Sequence, residues 1–369
     1  MAVTNFAALT TEQKTAWSMK FWRHMRNRSF VDKFAGESED SVIQRITELT
    51  KDEKGARAVL TLIADSKGDG VAGDNQLEGN EEELQSSDIV VTMDQLRHAH
   101  RHKGKMADQK SVVNFRNAAT NNLGYWMQDR LNQMAMLTLS GISYSKATNG
   151  ADRVGSQLPV LEFASDVSAP TAYRNFRWDE GTTSLLRNDS NANLVAADTL
   201  TWNALVDLKT QAEYYKLKPV RTTDGISYYH VFINHLAMNS LKKDNDYLAN
   251  IRNAGVRGDG NALWKGTDSV MVDGMLLTPY HHAYTTMGAA SGSKWGGGTV
   301  DGSRILLCGA QALGMADIGR PEWNEKMFDY DNQPGISVGK IFGFRKPKYT
   351  DPQTETVEDF GVMTLDVAI

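Results

Sequence analysis

From Asp108 to about Leu139 the chain carries an apolar pattern that leaves few folds open. Val112, Phe115, Ala119, Leu123, Trp126, Met134 and Leu137 follow one another at three- to four-residue spacing, with one longer gap over Arg130, the periodicity of a single helix face. Gly124 is the only interior weak point. At the usual rise per residue such a helix is ~45 Å long, and it predicts one element that bridges the subunit from end to end. No second run of this length is visible and strand-like segments follow, so a helical bundle is disfavoured and the class is α+β.

The flanks read differently. Thr10 followed by Gln13 makes a capping box, and Trp17, Phe21, Trp22 and Met25 recur at helical spacing, which predicts a helix over about 11–27. Tryptophan and arginine are favoured at interfaces, so this segment suits an arm that packs on a neighbouring chain. The runs 57–64 and 89–93 read as strands. The stretch between them, rich in glycine and acid, is too long to be an ordinary connection. A long hairpin with an acidic tip is the prediction. Downstream, a helix capped by Asp198 carries Leu200, Leu205, Leu208 and Ala212. A strand over 228–234 leads into a helix ending near 251, and strands are expected at 270–272, 275–277 and 304–308. A short helix over 310–314 and strands over 335–344 and 360–369 complete the reading.

Composition bounds the function. The 369 residues exceed one usual domain, and 41% hydrophobic with 23% charged residues suit a globular protein. No apolar run of about 18 residues is present, so no membrane partner is expected and the chain should stay soluble in the cytoplasm where it is made. The single cysteine, Cys308, sits in an apolar strand, which rules out a disulfide framework or a cysteine zinc cluster. A net charge of −5 argues against a nucleic-acid reader, though not against a shell whose inner face lies near packaged DNA.

Charge is unevenly placed. Residues 65–88 hold eight acids against one base, and residues 97–105 hold four bases and no acid. Extended strands put the acidic stretch mostly beyond the basic one, so pairing with a neighbouring subunit is at least as well served as pairing within the chain. The candidate inter-subunit contacts are therefore Asp69, Asp74, Glu78, Glu81, Glu82 and Glu83 on one side and Arg97, Arg101, Lys103 and Lys105 on the other, with Trp17 and Trp22 of the arm.

His98, His100 and His102 alternate along the same basic segment, and imidazoles two apart on a strand share a face that could hold a metal. The four surrounding bases repel a divalent cation. A soluble metal-dependent enzyme using these histidines and the acidic loop is one rival reading, and an adhesin or other binding module is another; Arg257-Gly258-Asp259 is too short a motif to favour it. Asp65, Asp69 and Gly70 imitate the first, fifth and sixth positions of a calcium loop, but Lys67 and Gln76 occupy its third and twelfth. His281-His282 reads as a loop or strand end rather than a metal site. Nucleotide-binding, nucleophile-elbow and zinc-protease signatures are missing, so no catalytic residue and no cofactor are expected.

Several segments carry a resemblance: Ile43-Gln-Arg-Ile-Thr-Glu-Leu-Thr50, Gly68-Asp-Gly-Val-Ala-Gly-Asp-Asn-Gln-Leu-Glu-Gly79, Asp94-Gln-Leu-Arg-His98, 102–113, Leu313-Gly-Met-Ala-Asp317 and Phe328-Asp-Tyr-Asp-Asn-Gln333. In these the chain resembles the major capsid proteins of tailed bacteriophages with the Hong Kong 97-like fold, in the subgroup of Enquatro-type podophages, and the likeness covers most of its length. The resemblance implies an N-terminal arm over 1–50, an extended loop over 51–107 and a peripheral domain over 108–225 with its spine helix at 108–141. It further implies an axial domain over 226–330 and strands over 331–369 that return to the peripheral sheet. Self-assembly into hexamers and pentamers of an icosahedral head around double-stranded DNA follows, with assembly in the host bacterial cytoplasm and a final place in the virion. Recognisable structure within about ten residues of Met1 leads us to expect a separate scaffolding protein rather than a cleaved leader. A portal and a possible decoration protein complete the expected partners. No donor lysine and acceptor asparagine align for the family's isopeptide cross-link.

Overall fold

The long helix forms, and it starts later than its pattern suggested. In the computed structural model, which describes residues 29–47, 57–63, 68–82, 86–110, 114–221, 225–253, 269–351 and 353–369, it spans Phe115–Ser140 and is about 39 Å long. Asn114 caps it, its side chain accepting from the Asn117 N–H, so Asp108 belongs instead to a separate short helix, Lys105–Gln109. Gly141 ends it in the left-handed conformation, where a Cβ would run into the Ser168 carbonyl. The first half is amphipathic, burying Ala119, Leu123 and Met127; from Met134 to Ser140 every residue is buried. The helix is therefore driven end-on into the core.

Two sheets receive it. One contains six strands among the described residues and is organised by Gln333–Arg345. Along one edge this strand pairs with Asp94–Arg101, and along the other with Glu322–Phe328 and Leu313–Asp317. Ile43–Ile46 and Ala35–Gly36 extend it in parallel. The other sheet, of eight strands among the described residues, runs Val270–Val272, Met275–Pro279, Ser227–Ile233, Gly302–Cys308, Val362–Ala368, Asn175–Asp179 and Ser184–Arg187, with Val220–Arg221 attached to Ser227–Ile233.

The period of two along a strand decides what each face of the eight-stranded sheet meets. Phe232, Leu306, Cys308 and Val362 pack into the core of the long helix. Their neighbours Val231, Ile233, Ile305, Leu307, Met363 and Leu365 point the other way. There they meet Leu205 and Leu208 of the helix Trp202–Tyr214 and Met238 and Leu241 of the helix His235–Lys243. Gly302–Cys308 is consequently buried on both faces, and burial pushes the Cys308 thiol far above its ordinary pKa.

Three local expectations are corrected. Asp198 does not cap a helix: it is fully buried and accepts from Arg177 Nη1 and the N–H groups of Val195 and Glu180. The helix begins at Trp202, whose N–H donates to the Asp244 carboxylate at 2.6 Å, a partner from a distant loop. Residues 313–317 are a strand rather than part of a short helix, because they pair with Ile43–Ile46 on one side and Phe342–Arg345 on the other. The helix expected to run to about 251 breaks at Asp244, which is extended, into His235–Lys243 and Asn245–Asn253. Residues 175–187 and 362–368 share a sheet with 227–308, while 313–345 share one with 94–101. The predicted helix at 11–27 and the loop around 255–260 lie outside the described residues.

The hairpin is present as Arg57–Ile63 against Ser86–Thr92. Ala58, Leu60, Leu62, Ile89 and Val91 form its inner face and pack with Ile46, Met93, Ala316 and Phe360. Its root crosses the long strand at Gly343, where a Cβ would overlap the Thr92 carbonyl.

One buried ion pair joins the long helix to the sheet. Arg304 donates to both carboxylate oxygens of Asp366 at 2.7 Å and, through Nη1, to the Ser140 carbonyl at 2.7 Å. Asp366→Ala strands a buried guanidinium and is expected to lower stability by roughly 3–5 kcal/mol, read as an earlier urea midpoint; an unchanged midpoint would contradict this role. A pH effect follows from His230, which is packed among Phe34, Tyr228 and Phe232. Burial pushes its pKa down to about 4. The neutral imidazole costs nothing above pH 6.5, but as pH falls toward 4 the unfolded chain takes up a proton that the fold refuses. Stability from this group is therefore lost across that window, by roughly 2–3 kcal/mol at pH 4.5. Comparing urea unfolding of wild type and His230→Phe at pH 7 and 4.5 should show the smaller loss in the variant.

Candidate assembly interface

The basic strip lies on an edge strand. Asp94–Arg101 pairs only with Gln333–Arg345 among the described residues, and its side chains sort by parity. Leu96 is buried, His98 and His100 are half-buried on the same face, and Arg97, Ala99 and Arg101 are exposed on the other. Arg97 lies opposite Gly339 and Arg101 opposite Gly335; a Cβ on Gly339 would press on the Arg97 stem. The Arg101 guanidinium sits 4.4 Å from the Phe328 ring centroid, a cation–π contact that holds it in place without neutralising it. Lys103 and Lys105 follow, exposed, on a turn fixed by Gln333 Nε2 donating to the Lys103 carbonyl and Lys105 N–H to Asn332 Oδ1. Among the described residues, none of these four cations has a carboxylate within ion-pair distance.

The acidic loop carries hydrogen bonds of its own. Glu82 Oε2 accepts from the Gly68 N–H, Glu81 Oε2 from the Gly79 N–H, Asn75 Nδ2 donates to the Ala72 carbonyl and Asn80 Nδ2 to the Gln76 carbonyl. Gly70, Gly73 and Gly79 take positive φ, which lets the chain turn repeatedly without a packed core. Asp69, Asp74 and Glu78 are exposed and make no ion pair among the described residues. The loop and the strip are thus not brought together within one chain in the described part. Glu83, Trp17 and Trp22 lie outside the described residues.

The histidines expected as a possible metal site serve as packing. His98 stacks on Trp126 of the long helix, with centroids 4.5 Å apart, and His102 meets Phe115 edge-on at 4.9 Å. Burial, then the charges of His100 and Arg130, lower the His98 pKa, so its ring is neutral where it packs. No carboxylate converges with the three imidazoles among the described residues. Parity explains this: the strand turns the imidazoles toward the helix and the arginines toward solvent.

A two-sheet subunit with a rigid helical axis, a hairpin seated on it by one apolar face and, among the described residues, exposed acidic and basic surfaces that do not meet is a building block suited to contacts with copies of itself. The chain belongs to the phage capsid protein family, whose model matches residues 5–369. It is 52% identical over 367 residues to the major capsid protein of Pseudomonas phage KPP25, covering 99% of this chain and 97% of that one. Solved structures agree on the fold. The capsid of Ralstonia phage GP4 matches with a TM-score of 0.73 at 24% identity, over 92% of this chain and 90% of that one. The Cyanophage Pam1 capsid matches with a TM-score of 0.69 at 19% identity, over 99% of each. The fold is Hong Kong 97-like, and the chain serves as a phage major capsid protein in the shell of the virion.

The histidine packing is open to measurement. In a double-mutant cycle, His98→Ala and Trp126→Ala should show a coupling of roughly 0.5–1.5 kcal/mol; zero coupling would mean that the stack contributes nothing.

Proposed function

We propose that this subunit builds an icosahedral head from hexamers and pentamers enclosing double-stranded DNA, and that the acidic loop of one subunit docks on the basic strip of the next. The observation that carries this reading is the pair of surfaces that form no ion pair among the described residues: Asp69, Asp74 and Glu78 on the exposed loop, and Arg97, Arg101, Lys103 and Lys105 on an exposed edge. In this reading residues 1–50 are the arm, through which Trp17 and Trp22 reach neighbours, and 51–107 the extended loop, with Glu81, Glu82 and Glu83 among the acids of its tip. The six-stranded sheet with the long helix is the peripheral domain and the eight-stranded sheet the axial domain. Residues 333–345 then belong to the former and 362–368 to the latter. The subunit is not an enzyme; His98 packed on Trp126 argues against the metal-enzyme alternative, and no observation favours an adhesin. A separate scaffolding protein, a portal and a decoration protein are the partners a head of this kind would use, with assembly in the host cytoplasm.

Exposed pairs contribute only about 0–1 kcal/mol each, so their role is register and partner choice. Arg97→Glu with Arg101→Glu should leave the subunit's circular dichroism and melting unchanged yet block or misdirect shells in negative-stain microscopy and sedimentation. Adding Asp69→Lys and Glu78→Lys to that variant should restore part of the assembly. Normal shells from the first variant would sink the proposal.

A further inference from the structure

Midway along the long helix, Asp129 faces a turn that lies far away in sequence. This turn follows Met275–Pro279 and is held by the Tyr280 N–H on the Ile233 carbonyl and by Asn234 Nδ2 on the His281 and Ala283 carbonyls. Tyr280 stacks on Phe30 with centroids 3.7 Å apart. The backbone is thereby fixed so that His281 and His282 turn toward the helix. His282 is buried, with Nε2 2.9 Å from Asp129 Oδ1 and Nδ1 3.3 Å from Thr148 Oγ1. His281 is exposed, its ring centroid 3.8 Å from that of His282. One ligand atom from each of Asp129, His281 and His282 lies within 4.8 Å of the other two, at the wall of a solvent-open cleft of about 570 Å³.

We propose that Asp129, His281 and His282 bind a borderline divalent cation of the zinc type, which clamps the 280–283 turn to the long helix and leaves a fourth position open to the cleft. Two imidazoles and one carboxylate are a donor set that such ions take, with water completing the tetrahedron. Both inner ligands already have the outer support that metal ligands require. Thr148 Oγ1 can accept from His282 Nδ1–H, which leaves the Nε2 lone pair aimed at the site, and Gln133 Nε2 donates to Asp129 Oδ2 at 2.8 Å. Two cations temper the affinity: Arg130 Nη1 is 3.6 Å from Asp129 Oδ2, and Lys33 lines the cleft.

A plain Asp129–His282 hydrogen bond would account for those two residues and would need nothing from His281. A metal needs all three. The discriminating experiment uses untagged, chelator-treated wild-type capsomers titrated with Co²⁺, followed by the visible band of tetrahedral cobalt and by competition with Zn²⁺. One ion per chain is expected. His281→Ala, which alters an exposed side chain, and Asp129→Asn, which keeps a hydrogen-bonding group, should each weaken binding roughly tenfold or more, while His98→Ala should leave it unchanged. No cobalt band in wild type, or an equal band in His281→Ala, would overturn the site.

Discussion

Arg304 is the joint on which the subunit turns. It is almost completely buried, and burial alone would push its charge out; the bidentate Asp366 carboxylate reverses that and raises its pKa. Its Nη1 closes the Ser140 carbonyl, one of the groups that a helix end leaves unpaired, and puts a positive charge at the negative end of the helix dipole. The same side chain thus pins the register of Gly302–Cys308 against Val362–Ala368 and the depth to which the long helix enters. Sliding the helix by one turn would unpair the Ser140 carbonyl from Arg304 in the buried core. Lys340 with Asp317 and Lys346 with Asp359 repeat the device inside the other layers. Such pairs add little net stability compared with an apolar substitute, but breaking one is costly, so they act on specificity.

Rigidity at the centre lets the periphery be held loosely. The hairpin meets the body through one apolar face, a hydrogen bond from Arg345 Nη1 to the Val90 carbonyl and a close crossing at Gly343, and its tip carries hydrogen bonds within the loop. The edge strand Asp94–Arg101 would be an open template for pairing with other chains; its outward Arg97 and Arg101 blunt that hazard. They also turn the edge into an electrostatic surface, so one feature discourages unwanted strand addition and offers a directed contact.

How much of this could be read in advance depended on distance along the chain. The hairpin strands and Gly302–Cys308 were legible because period-two patterns and continuous apolar runs are local. The helix was legible as an element, but its beginning was not. Six apparently compatible residues precede Asn114, and only the cap marks the boundary. Asp198 carried a good local cap signature and was recruited by Arg177 instead, while Asp244 supplied the contact to Trp202 from 42 positions away. The short helix expected over 310–314 overlaps the strand Leu313–Asp317, and the two neighbouring strands decided its form. The charge strips were visible as composition, and strand geometry already indicated their separation within one chain. The ligands at Asp129 and His282, 153 positions apart, left no spacing to find, and the closely spaced His98, His100 and His102 drew attention because they did.

The place of Val362–Ala368 has a further consequence for how the subunit is made. This strand lies inside the eight-stranded sheet, between Gly302–Cys308 and Asn175–Asp179, and it carries the Asp366 that neutralises Arg304. During synthesis, every strand from 175 to 308 leaves the ribosome before the one that joins the two parts of the sheet. Contacts this far apart in sequence form late. Until then Arg304 is a charge without its partner and the end of the long helix has no seat. The nascent chain is therefore timed as well as shaped: its axis locks only after Val362–Ala368 has been translated, long after the helix it seats.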